Sequence, residues 1–376
     1  MAKSAMDTSP LINSKPYAGM IESFPSGQVS YLSPVPLPTD RPAQDYGNAV
    51  GGVNQTYMDL GVGTPAVFGW QVVLGGPFSF FIFCAFLLPL IGGMLGLALG
   101  ESLSDEIWMF RNVMPLSIET GAWASGFNLV IGLIITFNNL AKYETLIPAR
   151  FNRQRREVCF VPAGQTEPIF VPWESLSAWV IQSQTVSQYG ANLHYAMGIG
   201  FYHPPHDQQY TLEFQCGGFE LAICNWEAIR AYMEYEVHTL KEIQDPLDLQ
   251  GPDDPPHEGV HTFYNARERM RRRREAGEVG WSYPFWWYLY HVMTLWTLPN
   301  HLTEWEIRRI KSIGRAAVPD TMQAWSEPLP ESEWAKPSEK LLRMSKTLRE
   351  LRQKEPHISL IQHYVEVQIV ETGFKS

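Results

Sequence analysis

The stretch of this 376-residue chain that matches a catalytic motif is HEGVH, His257 to His261. Two histidines four apart on a helix would turn both imidazoles toward one zinc ion, with Glu258 placed to polarise its water; that is the chemistry of a zinc-dependent hydrolase. The flanking residues argue for a linker instead. GPDDPP precedes the motif, a run of arginines follows it, Gly259 sits inside it, and two prolines immediately upstream suit the start of a helix rather than its middle. We expect a chance match, with zinc hydrolysis through His257, Glu258 and His261 as an alternative. No metal or other cofactor is expected.

The remaining reactive residue types form no familiar constellation. HPPHD, from His203 to Asp207, reads as a solvated turn between strands. Cys84, Cys159, Cys216 and Cys224 show no C-x-x-C spacing, which indicates neither a disulfide framework nor a zinc ribbon and suits a reducing compartment. Cys216 and Cys224 flank a Gly-Gly turn and read as inert core thiols on neighbouring strands. Glu174 and Glu227 are isolated carboxylates, expected at the surface or at caps. No G-x-S-x-G, P-loop or dinucleotide fingerprint is present, so nothing compels an enzyme. A formal net charge of −10 argues against coating nucleic acid, which needs a basic face.

The elements around these residues point to a membrane. Residues 1–65 are rich in Pro, Ser and Gly and read as a disordered tail, with no apolar signal-peptide core behind Lys3. Beyond Asp59 no charged residue occurs until Glu101, and Gly69–Gly100 exceeds the roughly 20 apolar residues that span a bilayer, with Pro77 and Pro89 as places for kinks. Thr120–Ala141 is a second, more polar span. The connector Glu101–Glu119 carries Glu101, Asp105, Glu106 and Glu119 against Arg111 alone, whereas Lys142, Arg150, Arg153, Arg155 and Arg156 follow the second span. Positive residues stay cytoplasmic, so both termini are expected in the cytoplasm, with these cations against inner-leaflet headgroups. Gly92, Gly96 and Gly100 recur every four residues, echoed by Gly121 with Ser125 or by Ala122 with Gly126, the spacing of close helix packing. A tight hairpin, a homo-oligomer, or at the extreme a pore are the readings.

From Val158 short β-prone runs follow: EVCFVP, EPIFVPW, LSAWVIQSQ, LHYAMGIGFYH, YTLEFQC and FELAICN, then an amphipathic helix capped at Asn225. The expected fold class is therefore an α+β membrane protein. A transmembrane hairpin over 66–142 precedes a small cytoplasmic β-barrel or sandwich of pleckstrin-homology type over 150–243, closed by its helix. Residues 244–280 read as an acidic linker and a basic helix carrying Arg271, Arg272, Arg273 and Arg274. The uncharged segment from Trp281, with Trp286, Trp287, Tyr290 and Trp296, would pack on the β domain, lie at the inner leaflet, or span. Over 281–376 further helices are expected, then a terminal strand SLIQHYVEVQIVET.

Two early spans followed by ARFNRQRREVCF, VPWESLSAWV, NWEAIRAYME and WTLPNHLTEWE resemble an uncharacterised family of bacterial inner-membrane proteins often found beside genes for type VI secretion effectors. The resemblance covers roughly residues 66–330 and implies an immunity or accessory role, with a toxin or a secretion component as protein partner and the bilayer as the other. Nucleic acid is not an expected partner. A membrane-active, pore-forming effector is the alternative from another class.

Overall fold

The computed structural model describes residues 16–373 except 62, 64, 143–145, 163–164, 188–189, 245–248 and 252. It is a mixed α+β structure in two compact units. Unit 1 comprises residues 1–63, 148–245 and 318–376; unit 2 comprises residues 64–147 and 246–317. Helices, numbered along the chain, are α1 Val67–Ala98, α2 Leu103–Lys142, α3 Phe219–Met233, α4 Val260–Glu275, α5 Ser282–Met293, α6 Leu298–Ala317, α7 Asp320–Trp325, α8 Glu339–Lys354 and α9 Leu360–Thr372.

Unit 1 holds two five-stranded antiparallel sheets. The first runs β1 (Ile21–Phe24), β2 (Gly27–Ser33), β8 (Ser177–Ser187), β9 (Gly190–His203) and β10 (Gln208–Cys216). The second runs β3 (Val50–Val53), β4 (Tyr57–Leu60), β5 (Ala149–Asn152), β6 (Glu157–Phe160) and β7 (Ile169–Pro172). Four of these strands come from the segment expected to be a disordered tail. That expectation is corrected for residues 16–61, and residues 1–15 lie outside the described residues. The Pro and Gly there are turn chemistry. The strands between them find partners far along the chain: Tyr31 opposite Trp179 and Leu60 opposite Ala149. Local composition cannot register such pairings.

The strand expected at FELAICN is instead the beginning of α3, whose N-cap is Gly218 and not Asn225. Helix α3 is buried almost all round, as a helix through a core must be. Trp226 packs against Trp173 with ring centroids 5.3 Å apart. Its polar residues are matched: Asn225 Oδ1 accepts the Tyr46 amide at 2.8 Å, and Glu227 accepts both the amide (3.1 Å) and the hydroxyl (2.7 Å) of Thr39. Glu227 is therefore a buried partner of Arg230, 2.5 Å away, and not a surface carboxylate. Glu174 accepts from Arg156 and from the Ser338 amide. Cys224 lies on α3 rather than on a strand beside Cys216.

The expected terminal strand is helix α9. Ser359 and Gln362 form a capping box, and Ile361, Tyr364 and Val367 recur at threefold spacing on the buried face. This helix-start signal overrides the β-branched content of the segment. Helix α8 begins on Ser338, which accepts the Leu341 amide, and buries Leu341, Met344 and Leu348, while Leu342 is exposed.

Unit 2 is helical. The connector Glu101–Glu119 is helical from Leu103 and continuous with the second apolar segment through Pro115. Helix α1 contains two widened π-type turns, Gln71–Gly75 and Phe83–Leu87, each just ahead of a proline, Pro77 and Pro89. A proline lacks the amide that closes a normal turn and its ring crowds the carbonyl four residues back, so widening the turn keeps the helix running.

Candidate membrane interface

Helices α1 and α2 are each long and apolar enough to cross a membrane, with mean hydropathies of 2.4 and 1.5 in their most apolar windows. Only 11% of each window is buried, so these are not the core helices of a globular body. They run antiparallel. A Cβ on Gly121 would stand 3.3 Å from Cys84 Cβ, and one on Gly132 would stand 3.3 Å from the Val73 side chain. The small residues at these positions let the backbones approach.

The stripe identified in sequence divides in three. Gly121 and Ser125 are buried at this contact. Gly96 makes room for an acidic side chain: a Cβ there would fall 1.7 Å from Glu106 Oε1. A Cβ on Gly92 or Gly100 would meet open space, so neither makes a close helix-helix contact; Gly100, at φ 98°, instead ends α1 at the turn of the hairpin. Gly132 lies on the same helical face, seven residues beyond Ser125, but falls outside the four-residue repeat of small residues read from the sequence.

The base of α1 is held by two carboxylates. Glu258 accepts the Val67 amide, one of the donors that a helix N-terminus leaves unsatisfied. Glu306 Oε2 accepts the Trp70 indole N–H at 2.7 Å. Burial raises the Glu306 pKa above the ordinary carboxylate value, and the indole hydrogen bond partly opposes it.

This geometry replaces the zinc reading of HEGVH. Helix α4 begins at Val260, so His257 precedes it and the two histidines do not share a helical face. Their ring centroids are 6.2 Å apart, and His257 Nδ1 lies 3.0 Å from the Glu258 carbonyl oxygen. Burial lowers the His257 pKa. Among the described residues no three His, Cys, Asp or Glu side chains converge on a metal-sized site.

The basic residues after the second apolar helix divide by burial. Lys142 is exposed at the end of α2. Arg150, Arg153 and Arg156, by contrast, are at most 7% exposed in unit 1, which corrects the inner-leaflet expectation for them. Arg153, Gln154, Arg155 and Arg156 form the turn between β5 and β6, where Asn152 Oδ1, at the end of β5, accepts the amides of Gln154 and Arg155 at 3.1 Å. Arg153 stacks over Tyr232 and Tyr235 at 4.7 Å and donates to the carbonyls of Gln55 and Val237. Arg156 holds Glu234 and Glu174, and Arg155 donates to the Trp325 carbonyl. Each guanidinium thus ties the hairpin to another element of unit 1.

Arg271, Arg272 and Arg274 do stand exposed on α4, and Arg273 pairs with Glu278 at 3.2 Å. Trp281, Trp286 and Tyr290 are exposed, while Trp287 and Trp296 are half-buried around Phe263 and His291. Helix α5 is therefore covered on one face only. It packs on α1: Ser79 donates to the Met293 carbonyl at 3.2 Å and Tyr290 donates to Gln71 at 2.8 Å. Comparison with known protein families, with curated proteins and with solved structures finds no match to this chain.

Proposed function

We propose that this chain is a bacterial inner-membrane binding protein, anchored by α1 and α2, with both termini in the cytoplasm. One observation carries the reading. The two exposed apolar helices form an antiparallel hairpin inserted between strands that pair with each other, Leu60 opposite Ala149. A hairpin that leaves and rejoins one sheet crosses a bilayer an even number of times. Unit 1 then lies wholly on one side.

The cytoplasm is that side because Lys142 and the arginines after it follow the second span at close range, while α2 begins with Asp105 and Glu106. Orientation is set as the chain inserts, before Arg150, Arg153 and Arg156 find their buried partners, so their final burial does not weaken the argument. Two antiparallel sheets closed by a helix support a binding module in the general manner of pleckstrin-homology domains. The motif resemblance adds the partner class: a type VI secretion effector or a component of its delivery machinery, with this chain as immunity or accessory protein.

Paired fusions after residue 376 test the topology. A fluorescent reporter that matures only in the cytoplasm should light up, and alkaline phosphatase, active only outside it, should stay silent. The reverse pattern, or extraction of the protein by alkaline carbonate without detergent, overturns the reading. Co-purification from membranes followed by mass spectrometry tests the partner, and a deletion beside an intact effector should produce self-intoxication.

A further inference from the structure

Helix α5 is uncharged along its 12 residues, Ser282–Met293, yet it is not enclosed. Trp281 is 81% exposed and Trp286 63%. Water is a poor solvent for such a surface, and the aromatic side chains with polar tips favour the boundary between headgroup and hydrocarbon. Two facts exclude a third crossing. Twelve helical residues reach about 18 Å against a hydrocarbon core of about 30 Å. Unit 1 also contains both the chain up to residue 245 and the chain from residue 318, so the intervening segment must return to the side it left.

The position of α5 along α1 supplies its depth. Its contacts fall on Gln71, Gly75 and Ser79, in the first half of α1: a Cβ on Gly75 would stand 2.8 Å from Thr294 Cα. At residues 295 and 296 the backbone turns through two left-handed conformations, φ 64° and 60°, and α6 begins at Leu298. The chain thus enters beside α1, reverses, and leaves. Ahead of α5, the exposed Arg271, Arg272 and Arg274 supply the charge that anionic headgroups attract.

Resting on the two-span reading above, we propose that α5 is a third membrane element, embedded in one leaflet beside the start of α1, and that Arg271, Arg272 and Arg274 bind anionic phospholipid headgroups at that leaflet. The chain then holds the bilayer by two spans and one monotopic helix.

The test uses the full chain in nanodiscs of phosphatidylcholine with phosphatidylglycerol as the minor lipid. A photo-crosslinking phenylalanine analogue is placed singly at Trp286, at Phe127 on α2, which is 67% exposed, and at Tyr202 in unit 1, which is 58% exposed. Lipid adducts are read by mass spectrometry. Adducts at Trp286 and Phe127 but not Tyr202 are the expected result. Adducts at Phe127 alone overturn the inference and leave the two-span anchor standing; adducts at neither overturn both. Phosphatidylglycerol should be enriched at Trp286 roughly two-fold or more over its bulk share, falling to that share when Arg271, Arg272 and Arg274 are all changed to Gln. Bulk composition in the unmodified chain, or enrichment unchanged by the triple substitution, overturns the headgroup site.

Discussion

Arg150 grips the Asp59 carboxylate with two parallel hydrogen bonds, Nε to Oδ1 at 2.6 Å and Nη2 to Oδ2 at 2.9 Å. The same guanidinium donates to Ser326 at 2.9 Å and lies 3.8 Å over the Tyr57 ring. Removing one partner of such a pair leaves a buried charge uncompensated, at a cost of about 3–5 kcal/mol. Arg150→Met should therefore lower the unfolding temperature sharply in detergent. Asp59→Leu combined with it should recover a substantial part, because the stranded charge is gone. Equal loss in single and double variants would mean that the pair does not act as a unit.

The hairpin contact gives a second prediction. Gly121→Val puts side-chain atoms where Cys84 Cβ and the Ala85 backbone nitrogen already stand within 3.5 Å of a Cβ, whereas Gly92→Val enters open space. Overpacking of this kind costs about 1–3 kcal/mol. Thermal unfolding in detergent should show a clear loss for Gly121→Val and almost none for Gly92→Val, and similar losses would contradict the packing described.

Cys159 is fully buried on β6, and burial pushes its thiol pKa up to about 12. A thiolate is the species that alkylates, so N-ethylmaleimide at pH 8 should leave Cys159 unmodified in the folded chain and label it fully in denaturant. Peptide mass spectrometry reads both states. Labelling of Cys159 at the rate of a free thiol under native conditions would place it at the surface.

His257 predicts how acid acts on unit 2. Its pKa lies below the ordinary value of 6.5 chiefly because burial disfavours the imidazolium, with the Lys311 and His261 charges in the same direction and the Glu258 carbonyl and Glu304 opposing. The folded chain therefore binds this proton less readily than the unfolded chain, so the stabilisation is complete above 6.5 and is lost as pH falls through the folded pKa. Thermal stability measured from pH 8 down to pH 5 should decline, and His257→Asn should flatten part of that decline. An identical slope in the variant would show that His257 carries none of it.

Sequence alone determined the apolar stretches at α1 and α2, the strand-prone runs from β6 to β10, the basic helix α4 and the aromatic character of α5. Each of these is written in local composition and period, which an uncharged run or an alternating one displays without reference to any other part of the chain. Tertiary structure alone decided the fate of residues 16–61, whose short strands become stable only by pairing with β5 and β8, far downstream. It also decided the arginines of the β5–β6 turn. Their charge is visible in the sequence, but Glu174 and Glu234, which hold Arg156, the Tyr232 and Tyr235 rings that cover Arg153, and Asp59, which pairs with Arg150 at the end of β5 before the turn, come from three other elements or their ends. Glu258 was legible as an acid in a catalytic pattern, yet its work is to cap α1, because a hydrogen-bond partner 191 positions away in the chain leaves no trace at the motif. Period and composition are properties of a segment, whereas burial and pairing belong to the segments it meets.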